Sequence, residues 1–168
     1  GTINPYNFPS TKEPNLIFLT PAIFGSVVGF ILGFRFFGHN LTIGYERYIY
    51  FLNIYTFIAS MGVGFFIYES RIDKTSLYEV LLPALLLMFY FGTIFNLTYS
   101  LYPDTFSGSI DAFTPISQFV VFLSLGITSI SVGGTVDVVP QKPGVKMLFS
   151  IAGLFSLFIF SIIISLVT

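Results

Sequence analysis

Residues 24–38 read FGSVVGFILGFRFFG and carry Gly25, Gly29 and Gly33 four residues apart inside a helix-length apolar segment. Each glycine costs a helix interior about 1 kcal/mol relative to alanine. Residues at i, i+4 and i+8 share one face of a helix, so the three glycines form a groove along it. In lipid, such a groove stabilises a helix pair because the two backbones can approach closely. We therefore predict a helix-packing interface, a glycine zipper, at Gly25, Gly29 and Gly33.

The composition indicates that the whole chain lies in a membrane. Of its 168 residues, 54% are hydrophobic and only 9% are charged, against about 25% charged in an average soluble domain. The charged residues fall in short clusters, separated by uncharged stretches of about 20 residues, which is the length of helix that crosses a bilayer. We predict an all-α integral membrane protein, a multi-pass bundle of about five transmembrane helices.

The positions of charges and prolines delimit the predicted spans. Residues 1–15 contain three prolines and are predicted to form an irregular N-terminal leader. Residues 16–168 are predicted to form a single transmembrane helical domain. Thr114 as cap and Pro115 as first residue mark the start of its fourth helix. The predicted spans are about 16–37, 48–68, 77–100, 114–133 and 146–167.

Lysine and arginine set the predicted orientation. With five spans, five of the seven basic residues fall on one side of the membrane and two fall on the other. The more positive side is cytoplasmic, so we predict a cytoplasmic N-terminus and an outside C-terminus. Lys142 then lies inside, whereas Asn40 and residues 102–112 lie outside. Asn40 begins the tripeptide Asn-Leu-Thr and is a candidate glycosylation acceptor.

Two asparagines lie within the predicted spans. Asn53 and Asn96 are each about five residues from the outer end of a span, so they lie at similar depth. An amide in hydrocarbon needs a hydrogen-bond partner, although such bonds average only about 0.6 kcal/mol in membranes. We predict an interhelical polar contact at Asn53 and Asn96, made with each other or with a common partner.

Residues suited to catalysis or metal binding are scarce. The chain has no cysteine and one histidine, His39, in a predicted loop. No charged residue lies near the middle of a predicted span, which argues against a proton relay or an ion-coupled carrier. The net charge is −1, and no block of basic residues is available to bind nucleic acid. We expect no enzymatic activity, no cofactor, no metal site and no nucleic-acid partner.

Residues 131–146 read SVGGTVDVVPQKPGVK. Through Val132-Gly133 and Asp137-Val-Val-Pro140 they resemble in part the selectivity filter of potassium channels, whose pattern is T-V-G-Y-G-D followed by x-x-P. In this chain the two glycines are adjacent, the tyrosine is missing and an extra residue precedes Asp137. The resemblance implies a filter of backbone carbonyls at Ser131, Val132, Gly133, Gly134 and Thr135.

The sequence leaves more than one function open. In the leading hypothesis the chain is a non-catalytic subunit of a larger membrane complex, for example an energy-transducing one, and packs on other membrane subunits, on itself or on lipid. In the alternative it is a homotetrameric pore-loop cation channel with a degenerate filter near residues 131–135, and residues 114–133 do not cross the membrane. The channel topology divides the basic residues three against four, so charge favours the first hypothesis. A third hypothesis is a lipid or quinone site in an aromatic groove.

Overall fold

The computed structural model describes residues 16–72, 77–108, 114–130 and 138–167. A 3-10 turn over Leu16–Leu19 leads into helix α1, and another over Pro103–Thr105 follows helix α3. The helices are α1 over Thr20–Arg35, α2 over Tyr45–Ile72, α3 over Leu77–Leu101, α4 over Pro115–Ile130 and α5 over Pro143–Val167. Two short strands flank α4 in the chain, β1 over Phe106–Ser107 and β2 over Val139–Pro140.

Four helices in the described ranges are long and apolar enough to cross a membrane, namely α1 with its preceding turn, α2, α3 and α5. Their apolar segments contain 20 to 25 residues, and about 20 helical residues cross the hydrocarbon core. The prediction of a helical chain is confirmed, and these lengths suggest a multi-pass membrane protein. Helix α4 has only 16 residues, which is about 24 Å at 1.5 Å per residue.

Helix α3 forms the centre of the bundle. It is the most buried of the four long helices, and every residue from Tyr90 to Thr98 is buried. Helices α1 and α4 pack mainly against α3, whereas α5 packs mainly against α2. The core therefore forms where side chains of the neighbouring helices pack against α3. The buried rings of Tyr90, Phe91 and Phe95, which belong to α3, lie at the centre of this core.

Contacts with α2 establish the directions of the first and last helices. The carbonyl of Phe18 lies against Gly62, and the ring of Phe158 lies against Gly64. The start of α1 and the second half of α5 thus meet the same part of α2. Leu16 and Val167 consequently lie at the same end of the bundle, which differs from the predicted topology with the two termini on opposite sides.

Three connections of the chain meet at the other end of the bundle. Strand β1 pairs antiparallel with β2, and the amide of Gln141 donates a hydrogen bond to the carbonyl of Thr105 at 2.8 Å. The amide of Leu41 donates to the carbonyl of Leu101 at 2.7 Å. We call this end of the bundle the loop end, and it consists of residues 36–44, 102–108 and 138–142.

The segments before and after α4 therefore lie at the same end of the bundle. The five-span prediction put residues 102–112 and Lys142 on opposite sides of the membrane. In the structure, Lys142 Nζ lies 2.9 Å from Asp104 Oδ2, which corrects that assignment. The physical reason is that an apolar composition indicates that a segment is surrounded by lipid or protein, but it does not indicate whether the segment crosses the membrane. A segment that enters the bundle and returns has the same composition as one that crosses.

Two glycines let α4 contact the backbone of α3. A Cβ atom on Gly126 would lie 2.6 Å from the amide nitrogen of Gly92 and 2.7 Å from the carbonyl oxygen of Met88. A Cβ atom on Gly92 would lie 2.9 Å from the Cα of Leu123. Backbone atoms of a packed helix cannot move aside as flexible side chains do. Only glycine fits at both positions, so the crossing fixes the distance between α3 and α4.

Gly126→Ala is expected to lower the free energy of unfolding by about 1–3 kcal/mol, which is the usual cost of overpacking. Gly153→Ala in α5 is the matched control, since nothing lies within 4 Å of a Cβ atom there. The control should raise stability by up to about 1 kcal/mol through helix propensity. Circular dichroism during unfolding in mixed micelles measures both variants. Equal effects of the two substitutions would contradict the backbone contact.

Candidate functional site

The candidate site is built around α4, whose first turn is capped by its own side chains. Thr114 Oγ1 accepts a hydrogen bond from the amide of Ser117 at 3.1 Å, and Ser117 Oγ accepts one from the amide of Thr114 at 3.1 Å. This reciprocal arrangement is a capping box with a serine hydroxyl at the third position. The helix begins at Pro115, the start that the sequence predicts.

Helix α4 runs from the loop end into the bundle, antiparallel to α3. Near its start, Gln118 contacts Ser100 in the last turns of α3. Two turns later, Gly126 lies against Met88, which is about midway along Leu77–Leu101. The described part of α4 therefore reaches past the middle of the bundle from the loop end.

A buried polar network joins α4 to α3 and α1. Gln118 Nε2 donates hydrogen bonds to Asn96 Oδ1 at 2.8 Å and to Ser100 Oγ at 2.7 Å. The hydroxyl of Ser100 donates in turn to the carbonyl of Gly33 at 3.2 Å. Gln118, Asn96 and Ser100 are each at most 3% exposed, and a buried polar group without a partner costs about 1–3 kcal/mol. The network therefore favours one rotation and one depth of α4.

Aromatic rings pack against the buried side of α4. The ring of Phe119 lies 5.1 Å from that of Phe30 in α1 and 5.9 Å from that of Phe89 in α3. The ring of Phe122 lies 5.2 Å from that of Phe106 in β1. Aromatic pairs at such distances contribute about 0.5–1.5 kcal/mol each beyond the area they bury. The opposite side of α4 is exposed and apolar at Ile116, Val120 and Ile127.

The three glycines predicted as a packing interface face α3 of the same chain. Gly25, Gly29 and Gly33 lie opposite Tyr90, Thr93 and Asn96, respectively. A Cβ atom on Gly33 would lie 2.6 Å from Asn96 Nδ2. The groove along α1 thus holds α3, and its last glycine also leaves room for the amide that Gln118 contacts.

The two asparagines predicted to make a polar contact hydrogen-bond to different helices. Asn53 Nδ2 donates to the carbonyl of Ile49 at 2.8 Å, one turn earlier in α2, and to that of Gly144 at 3.1 Å in α5. Asn96 instead accepts its hydrogen bond from Gln118 in α4. Each amide therefore links two helices, but the structure gives them separate partners.

The other predicted site residues lie in a loop or outside the described ranges. Asn40 is exposed in the α1–α2 loop, with a φ of 44°, a left-handed conformation that asparagine tolerates. A glycan at Asn40 would therefore have space. The leader over residues 1–15 lies outside the described residues, as do the candidate filter residues Ser131, Val132, Gly133, Gly134 and Thr135.

Charged and aromatic side chains join the connections at the loop end. The ammonium of Lys142 that pairs with Asp104 also lies 4.5 Å from the centroid of the Tyr45 ring. The Tyr102 hydroxyl donates to the carbonyl of Ile43 at 2.9 Å. Burial raises the pKa of this hydroxyl above its ordinary value, so it stays protonated as a donor at neutral pH. Because the ion pair is partly exposed, it contributes little energy and mainly orients the two connections.

Sequence reasoning missed Gln118, Gly92 and Gly126. Gln118 could have been found, because it is the one glutamine in the predicted fourth span and a buried amide needs partners. The two glycines are isolated in the sequence, and nothing there indicates that they face each other across two helices.

Comparisons with protein-family models, with curated proteins and with solved structures found no match to the chain. Within the ranges that the structure describes, no group of three or more His, Cys, Asp or Glu residues is arranged to hold a metal ion. The features of the described residues that bear on function are the geometry of α4 and that of the loop end.

Gln118→Leu should lower the free energy of unfolding by about 1 kcal/mol, because Asn96 Oδ1 loses a buried donor. Combining it with Asn96→Leu completes a double-mutant cycle, and we expect a coupling energy of about 0.6–1.7 kcal/mol. Gln141→Leu, at an exposed position, is the control for the change of residue type. Additive effects of the two core substitutions would mean that the network does not fix α4.

Proposed function

We propose that the chain is one subunit of a pore-loop cation channel, in which α4 and the residues after it enter the membrane and return to the side they came from. The observation that carries the proposal is the pairing of β1 with β2, because it joins both flanks of this segment at the loop end. Irregular backbone at membrane depth is tolerated only where it is buried in protein or lines a water-filled cavity.

The connection between α4 and the filter-like stretch supports the proposal. Residues 131–135 follow the inner end of α4 directly in the sequence. A filter of backbone carbonyls selects ions by the number and position of its oxygens. The helix that precedes the filter must therefore be held at a fixed depth in the membrane. The network at Gln118 and the glycine crossing at Gly126 both hold α4 at one depth against α3.

The proposed assembly is a closed ring of four identical subunits. One copy of α4 cannot enclose a pore, whereas cyclic symmetry brings the same segment of each subunit to a common axis. Apolar side chains on the outer faces of α4 and α5 are available for contacts between subunits or with lipid. Examples are Ile116, Val120, Leu154 and Leu157.

In the proposed orientation the loop end lies outside and the N-terminus is cytoplasmic, as predicted from the sequence. The C-terminus then lies on the cytoplasmic side as well, since Leu16 and Val167 share one end of the bundle. The four-helix arrangement places three of the seven basic residues on the cytoplasmic side and four outside, so the count of basic residues gives this orientation no support.

A second candidate is a non-catalytic subunit of a larger membrane complex. The observation that favours it is the exposed apolar side of α4, which an unrelated chain could cover in place of a second copy. The glycines at positions 25, 29 and 33 are already packed on α3, so such a partner would have to use another surface. Neither candidate includes a catalytic step or a cofactor.

The purified chain, reconstituted into liposomes, is expected to conduct monovalent cations and to have the mass of four identical copies. Replacing both Gly133 and Gly134 by alanine should abolish the flux without changing the mass, because a carbonyl filter depends on its backbone conformation. Gly153→Ala is the control glycine substitution, in open space on α5.

Two outcomes would contradict the channel. Flux that persists in the variant with both alanines would separate conduction from residues 131–135. Co-purification with unrelated chains at a fixed ratio, with no flux from the chain alone, would favour the second candidate.

A further inference from the structure

An apolar groove lies between α2 and α5 on the outer surface of the bundle. Its volume is about 400 Å³. Less exposed residues, Met61, Gly64 and Phe155, form its floor, and exposed rings such as those of Phe57 and Phe65 form its rim. Among the lining residues that the structure describes, Tyr68 alone carries a polar group, so the groove suits an apolar ligand.

Gly64 lies on the floor of this groove and has no side chain to fill it. A Cβ atom at this position would lie 3.4 Å from the ring of Phe158 and 3.5 Å from that of Phe155. These are ordinary contact distances, so a larger side chain at position 64 would extend into the groove. The groove therefore depends on a glycine that the contact between α2 and α5 does not require.

The length and position of the groove match one leaflet of a bilayer. Phe57 and Tyr68 are 11 residues apart in α2, or about 16 Å at 1.5 Å per residue. Half of the hydrocarbon core is about 15 Å thick. Tyr68 lies at the end of the groove away from the loop end. A tyrosine at that position suits the lipid headgroup region.

We propose that this groove binds one acyl chain of a membrane phospholipid, with the headgroup near Tyr68. A transmembrane helix, about 10 Å across, would insert only single side chains into the groove, whereas an extended acyl chain can follow its whole length. An acyl chain carries no polar group along its length, and the lining between Phe57 and Phe65 offers none. Since lipid tails and the lining are equally apolar, shape and the headgroup contacts supply the preference. This proposal does not depend on the proposed channel function.

Tryptophan fluorescence with brominated lipid tests the proposal, and the chain has no tryptophan of its own. Phe57→Trp puts the reporter in the groove. Ile23→Trp in α1 is the control, because Ile23 is 48% exposed and Phe57 is 46% exposed. Their depths are also similar, since Tyr55 donates a hydrogen bond to the carbonyl of Pro21. The full chain is measured in phosphatidylcholine vesicles that contain a small fraction of phosphatidylcholine brominated on its acyl chains.

The expected result is several-fold stronger quenching of Phe57→Trp than of Ile23→Trp at low fractions of brominated lipid. Adding Gly64→Leu to Phe57→Trp should reduce the quenching to the control value, because leucine fills the groove. Equal quenching of the two reporters would overturn the proposal in favour of general contact with the bilayer. Weaker quenching of Phe57→Trp would also overturn it, since protein would then cover the groove.

Discussion

The pairing of β1 with β2 is the contact on which the topology of the chain depends. Each strand has only two residues, but the hydrogen bond from Gln141 to Thr105 and the ion pair of Lys142 with Asp104 extend the contact. Together they hold the chain before α4 and the chain after it at one end of the bundle. Helix α5 consequently starts beside the start of α2 and runs parallel to it, with Gly144 against Ile49 and Phe158 against Gly64. A crossing α4 would instead start α5 at the opposite end.

The position of α4 in the bundle is determined mainly by its contacts with α3, and contacts with α1 contribute to it. Glycine at positions 92 and 126 brings the two backbones together, and Gln118 gives the contact a defined rotation through Asn96 and Ser100. The glycines of α1 bring that helix close enough for the carbonyl of Gly33 to accept from Ser100. Helices α1, α3 and α4 thus form one polar and close-packed unit. A filter supported by α4 would be held in place by this unit as a whole.

Much of the helical content could be predicted from the sequence, because apolar length encodes it directly. The predicted spans 48–68 and 77–100 lie within α2 and α3, and Thr114 with Pro115 marks the start of α4. The return of the chain after α4 appeared only in the channel alternative, and the sequence could not decide between it and five spans, since the return depends on pairing between residues more than 30 positions apart. The partner of each asparagine could not be predicted either, because depth in the membrane does not specify which helix a side chain faces. The count of positive charges was misleading as well, because its five-to-two division placed Lys142 on the side of the membrane opposite Asp104, its partner in the structure.

A disulfide between positions 107 and 139 tests whether the chain returns to the loop end after α4. The chain has no cysteine, and Ser107 lies opposite Val139 in the β1–β2 pair, where Cα atoms about 4.5–5.5 Å apart suit a disulfide. Ser107→Cys and Val139→Cys are introduced together, and the membranes are oxidised mildly before mass analysis under denaturing conditions. We expect an intramolecular disulfide in the double variant, with no cross-link between chains in either single variant. Free thiols at both positions after oxidation would contradict it, because two sites on opposite sides of a bilayer are about 30 Å apart.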